Sequence, residues 1–219
     1  MQKVSIVLPR IMDHLGKVLS VSAELFRQYG FKTITMDDIA RKAGISKKTL
    51  YQHFATKQEV VNEAVLWYKR QMFESTQQLV EGSENSIEAM VRIMQMVEEM
   101  CKRINPLSML ELQRYFPEGY KIFREEIIAQ DVEMLRNNIL SGIEEGLYRP
   151  DINAELMAIY HMETALLVFQ SSTLVNDRYD LQYVKRELTE HFMYGIMTPK
   201  GEKMYRKYKE TYLKQVSKI

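Results

Sequence analysis

Residues 44–57 read GISKKTLYQHFATK, and this stretch decides the fold. Gly44 supplies a residue able to turn with positive φ, Ile45 an apolar plug, and Ser46 a hydroxyl N-cap for a short helix. On that helix Leu50 and Phe54 stand four apart and turn to the same inner side. Lys47, Lys48, Tyr51 and Gln52 then occupy the outer arc, with Thr49 and His53 at its flanks. Just upstream, Thr35-Met36-Asp37-Asp38 sets a hydroxyl three residues before a carboxylate, a capping-box pattern. Ile39, Ala40 and Ala43 give the helix that follows a small inward face. Two short helices across a glycine turn are the signature of a helix-turn-helix.

Outward from this motif the chain reads as helices throughout. Leu15, Val18, Leu19, Ser22, Leu25, Phe26 and Tyr29 recur at helical spacing ahead of Gly30, which predicts a first helix over 13–29. Downstream, the periodicity predicts helices over 56–80, 86–104, 107–115, 118–145, 153–175 and 181–197, punctuated by proline, glycine and asparagine. No segment reads as a strand. The tail from Pro199 is rich in lysine and tyrosine without a sustained apolar face, and is expected to form a peripheral helix or arm. The expected architecture is all-α, with an N-terminal three-helix helix-turn-helix domain (1–57), a larger helical domain (58–197) and a C-terminal tail (198–219).

The charge is unevenly divided. The whole chain carries a net charge of +1. Residues 1–60 hold ten Lys/Arg against five Asp/Glu, a balance of +5, which leaves −4 for the remainder. A small basic module suited to a phosphate backbone is thus joined to a larger acidic one.

The motif residues resemble those of the TetR family of repressors: Ala43-Gly44-Ile45-Ser46, Thr49-Leu50-Tyr51, His53-Phe54 and Lys57, preceded by Thr35 and the short Asp-Ile-Ala helix. About 45 residues carry the likeness. It implies a homodimer that binds palindromic operator DNA, and a small-molecule inducer pocket in the C-terminal domain. It also implies phosphate contacts from Tyr51, His53 and Lys57. Lys47, Lys48 and Gln52 are then the candidates for reading base edges. Thr49 flanks them, and Thr35 and Ser46 are fully accounted for as helix caps, so a DNA contact from either would be additional.

In the larger domain the 153–175 helix is apolar on most sides and the 181–197 helix carries a narrow stripe. Paired across a two-fold axis they would form a four-helix bundle, with Leu166, Phe169, Val184, Leu188 and Phe192 as expected dimer contacts. The chain has fifteen methionines, several of them on helices that the family uses to wall its ligand cavity. Trp67, Met94, Met109, Met134 and Glu163 are the candidate ligand residues.

Several functions lack a basis. His161, Glu163 and His191 lack the i, i+4 spacing of a helical metal motif. There is no phosphate loop, nucleophile elbow or Cys-His pair of recognisable spacing, so no catalytic residue, metal or cofactor is expected. The single cysteine, Cys101, fits a reducing compartment. The apolar run Val4–Leu8 is too short for a signal-peptide core, no stretch is long enough for a membrane span, and a cytoplasmic protein is expected. The alternative is a helical small-molecule-binding or scaffold protein with a basic N-terminus lacking sequence preference.

Overall fold

The structure is a computed structural model that describes residues 14–171, 173–176 and 178–212. The run Val4–Leu8, residue 13 and the last residues of the tail lie outside them. The helices are α1 (His14–Tyr29), α2 (Met36–Ala43), α3 (Lys47–His53), α4 (Lys57–Glu81), α5 (Ser86–Cys101), α6 (Ser108–Tyr115), α7 (Pro117–Glu126), α8 (Val132–Glu144), α9 (Ala154–Leu167), α10 (Leu181–Ile196) and α11 (Pro199–Tyr212). The architecture is all-α. Among the described residues the only extended pairing is an isolated antiparallel bridge between Tyr148 and Met197. Thr35, Ser46, Asn85, Asn153 and Asp180 cap their helices by accepting the N–H three residues on.

Packing divides the chain into two compact units. The first takes the described residues up to Ser75 together with Leu107–Phe123; the second takes Thr76–Pro106 and the described residues from Arg124 onward. The core of the first is built on Phe26, Ile39, Leu50, Val60, Val61 and Leu112, each almost wholly enclosed. Because Val60, Val61, Ala64 and Val65 are buried there, the packing boundary falls well beyond residue 57, where the motif ends. The core of the second gathers Ile87, Val91, Ile139, Tyr148, Met193 and Tyr205. Tyr148 is completely enclosed, its hydroxyl 3.2 Å from Asn138 Oδ1 and 3.3 Å from the Ser86 carbonyl, and Asn138 donates to that same carbonyl. A buried polar triad of this kind stabilises only because each member finds a partner.

Three elements differ from the sequence expectation. The helix expected over 118–145 is interrupted by a π-helical turn at Ile127–Asp131. The helix expected over 153–175 ends at Leu167. Beyond it the Ser171 hydroxyl accepts the Leu174 N–H at 3.3 Å, a local bond that competes with helix continuation. The tail forms α11, which buries Gly201, Tyr205 and Tyr208. Tyrosines at 205, 208 and 212 lie on one stripe, and their rings bury apolar area while each hydroxyl finds a partner. Tyr212 donates to Glu88 at 2.6 Å, Tyr208 donates to Glu84 and accepts from Asn85, and Tyr205 meets Tyr194 edge to face at 5.7 Å.

Gly201 enters α11 against the backbone carbonyl of Leu147, where a methyl group would collide with the oxygen. Gly201→Ala should destabilise the protein by about 1–3 kcal/mol in chemical denaturation. Gly195→Ala is the control, since no atom lies within 4 Å of the added methyl; it should be neutral or stabilising by up to about 1 kcal/mol.

Candidate nucleic-acid interface

The turn between α2 and α3 is built as its residue types require. Gly44 has φ 73° and ψ 32°, in the left-handed region, so its N–H can close the end of α2. The Ile45 N–H returns to the Ala40 carbonyl at 3.0 Å. Ser46 Oγ accepts the Thr49 N–H at 3.0 Å and lies 2.8 Å from the Thr49 hydroxyl. At the head of α2, Thr35 Oγ1 accepts the Asp38 N–H at 3.2 Å while Asp38 Oδ2 accepts the Thr35 N–H at 3.0 Å. The Thr35 hydroxyl, which lies 2.6 Å from Asp38 Oδ2 and donates to it, and then the Thr35 N–H hold the Asp38 carboxyl below its usual range. Thr35, Ser46 and Thr49 are therefore occupied in shaping the module.

Leu50 is fully buried and Phe54 nearly so, which leaves Lys47, Lys48, Tyr51, Gln52 and His53 exposed together on the other side of α3. Among the described residues nothing pairs with Lys48 or Gln52. The Lys47 ammonium lies 2.8 Å from Asp37 of α2 and 5.9 Å from the centre of the Tyr51 ring. Both members of that pair are well exposed, so the bond is weak and easily exchanged for a phosphate. The step from α3 to α4 is short and pinned: the Ala55 N–H donates to Glu59 at 2.8 Å, and Thr56 Oγ1 accepts the Glu59 N–H at 3.2 Å.

Lys57 is placed differently from the α3 residues. Its ammonium donates to the Lys32 carbonyl at 3.2 Å and lies 5.3 Å from the centre of the Phe116 ring. Partial burial lowers its pKa, against the pull of Glu111 and Asp38. Glu111 of α6 in turn accepts the Lys32 N–H at 2.9 Å. Glu111 and Phe116 have no signal in the motif, since their partners Lys32 and Lys57 lie far away along the chain.

The five candidate ligand residues are spread over different surroundings. Trp67 and Met109 pack against the first core, and Met94 is buried in the second with its sulfur 3.9 Å from the Tyr205 hydroxyl. Met134 is half-buried on α8, and Glu163 makes a two-pronged ion pair with Arg124 at 2.8 and 3.1 Å. The expected dimer residues face inward. Leu166, Val184 and Phe192 are buried within their own chain, and Phe169 and Leu188 are partly buried against the cluster around Cys101 and Val168. An apolar stripe demands cover without specifying which chain supplies it. What α9 and α10 leave exposed is Leu156 at 57%, Leu167 at 52%, Ile159, Tyr160, Tyr183 and Tyr194.

Among the described residues no group of three or more His, Cys, Asp and Glu side chains is placed to hold a metal ion, and no helix is long and apolar enough to cross a membrane.

Residues 18–64 match the family of bacterial regulatory proteins described as the tetR family. The HTH-type transcriptional repressor KstR2 of Mycobacterium tuberculosis is 27% identical over 158 residues, covering 71% of this chain and 79% of that one. Among solved structures, the reduced form of E. coli NemR superposes with a TM-score of 0.71 at 13% identity, over 86% of this chain and 99% of that one. The FadR regulator of Bacillus subtilis, solved in complex with stearoyl-CoA, gives 0.63 at 16% identity, over 82% and 98%. At these identities the structural likeness concerns the fold.

His161 of α9 lies with its ring 4.3 Å from that of Phe192, and burial, followed by the nearby Lys185 charge, lowers its pKa from 6.5 to about 4. Between those values the unfolded chain binds a proton that the folded one does not. Stability conferred by the neutral ring is therefore complete above pH 6.5 and lost as the pH falls towards 4. Denaturation midpoints should decline over that window by an amount on the order of 2 kcal/mol, and His161→Phe should flatten the decline.

Proposed function

Since the chain belongs to the TetR family of regulators, we propose that it is a transcriptional repressor that binds palindromic operator DNA as a homodimer through α3 and is released by a small molecule. One observation carries the reading: a seven-residue helix, fixed from beneath by Leu50, presents Lys48, Tyr51, Gln52 and His53 to solvent side by side, within the stretch that matches the family. Such a helix fits the major groove, where short donors reach base edges and phosphates. Lys48 and Gln52, without partners among the described residues, read bases. Tyr51 and His53 hold phosphates, and Lys47 joins them by exchanging Asp37 for the backbone. Lys57 acts mainly as an internal anchor that ties the loop after α1 to α4.

The dimer is proposed to form through the exposed apolar residues of α9 and α10, because a row containing Leu156, Ile159, Tyr160 and Leu167 on one helix is costly to leave in water. A ligand that releases the protein must favour the unbound state, since equal affinity for both states shifts nothing. An apolar or amphipathic molecule is proposed, a class consistent with the stearoyl-CoA held by the FadR relative.

Sequencing of DNA fragments selected by the purified protein should return one palindromic site. Gln52→Ala or Lys48→Ala should change the bases preferred at particular positions, at about 1–3 kcal/mol for each good contact. Tyr51→Phe should weaken all sequences alike. A protein that selects no site would overturn the reading. Sedimentation supplies a separate check: Leu156→Asp with Leu167→Asp should give folded monomers, whereas Val184→Asp, on the inner face, should unfold the chain.

A further inference from the structure

We propose that the outward face of α11 is a second polyanion site, a row of cations that holds the phosphate backbone of duplex DNA without regard to sequence. Charge is segregated along the chain. Residues 199–219 carry seven Lys/Arg against two Asp/Glu, whereas residues 58–198 carry thirteen against twenty-three. A basic end on an acidic stretch is the pattern of a contact segment. Burial of Gly201, Tyr205 and Tyr208 fixes which side of α11 looks out. Lys200, Lys203, Arg206 and Lys207 are exposed on the other side, at spacings that place them on one arc. The start of the helix is pinned: Thr198 Oγ1 accepts the Gly201 N–H at 3.1 Å and donates to the Gly146 carbonyl at 2.9 Å. The row is thus displayed on a packed helix.

These cations are not consumed within the protein. Lys209, on a different side of the helix, does pair with Glu190 of α10. Lys203 and Lys207 have no acidic partner among the described residues, and the Lys207 ammonium lies 5.9 Å from the centre of the Tyr208 ring. Arg206 pairs with Glu202 of α11 itself at an exposed position, so that bond is weak and easily exchanged. Lys200 donates to the Glu145 carbonyl at 2.8 Å, which leaves its charge without a counter-charge. The kind of partner follows from what the face lacks. Between Lys200 and Thr211 every exposed residue is polar or charged, while Met204 and Tyr212 pack against the second core. A membrane-binding helix needs a free apolar side, and a protein interface needs aromatic or apolar anchors. α11 offers neither outward. A phosphate backbone is held by charge alone, and a duplex presents one negative charge about every 1.7 Å of its axis. Successive lysines at 200, 203 and 207 rise by about 4.5 and 6 Å along α11, close enough to meet neighbouring phosphates. The site goes beyond operator reading by α3 and does not depend on it.

Fluorescence anisotropy with a duplex of random sequence at about 50 mM salt tests the site. The full chain is used, with Lys48→Ala, Tyr51→Ala and Gln52→Ala to silence α3. Adding Lys203→Gln, Arg206→Gln and Lys207→Gln should weaken binding at least about tenfold and lower the slope of log affinity against log salt by about two to three. Lys102→Gln, Arg103→Gln and Arg136→Gln remove the same charge elsewhere and should change neither quantity. An α11 variant that binds like its parent would overturn the proposal. So would equal weakening by the two triple variants, which marks a response to net charge alone. Anionic phospholipid vesicles that bind the protein as tightly as the duplex, and lose it on the same α11 substitutions, would overturn the choice of DNA. Should the α11 triple variant fail to fold, Lys203→Gln alone, at the middle of the exposed arc, should lower the slope by about one. An unchanged slope there would refute the site. Operator selection by the unaltered protein reports on α3 separately, so either result can fail without the other.

Discussion

Leu50 is the residue on which the outward face of the first unit depends. A helix of seven residues has no stability of its own in water, because so short a segment cannot repay the cost of its first turn. α3 exists because Leu50 and Phe54 are drawn into a core already made by α1, α2 and α4, while Ser46 closes its start. Since the inner side of the helix is fixed by burial, the outer side is fixed as well. Lys48, Tyr51 and Gln52 owe their common direction to a leucine that cannot touch DNA. The bonds of Ala55 and Thr56 to Glu59 extend the constraint into α4 and leave little freedom at the joint.

The electrostatics of the module follow the same economy. Carboxylates stand at the start of α2, where a helix dipole favours them: Asp38 closes the capping box, and Asp37 is left free to hold Lys47. A lysine parked on an exposed aspartate is restrained in direction yet loosely held. Lys57 is treated in the opposite way, half-buried against a ring and a carbonyl, so that its charge serves the fold before it serves any ligand.

Much of this was legible in the sequence, for reasons that also explain the failures. The turn was readable because glycine at 44 and hydroxyls at 35 and 46 have local meanings that tertiary packing seldom reverses. The seam of α10 was readable as buried: Val184 and Phe192 are enclosed within their own chain, whereas Leu156 and Leu167 of α9 stay exposed. α11 was undervalued because tyrosine counts as polar in a search for apolar stripes, although its ring can be enclosed whenever its hydroxyl is met, as Glu88 meets that of Tyr212. The tie between Lys32 and Glu111 spans 79 positions and has no counterpart in any local pattern.

The first unit is assembled from two separate stretches of chain, with α6 and most of α7 supplied after an excursion of some thirty residues into the second. Leu112, from that later stretch, is as deeply enclosed as the residues of α1 and α4. No single cut can therefore release the DNA-binding half intact. A fragment ending at residue 75 would expose the core that Leu112 closes and would lose the carboxylate that steadies Lys32. Exchange of recognition modules between relatives, in nature or in the laboratory, would have to transplant α6 along with the helix-turn-helix or reshape the surface on which α6 rests.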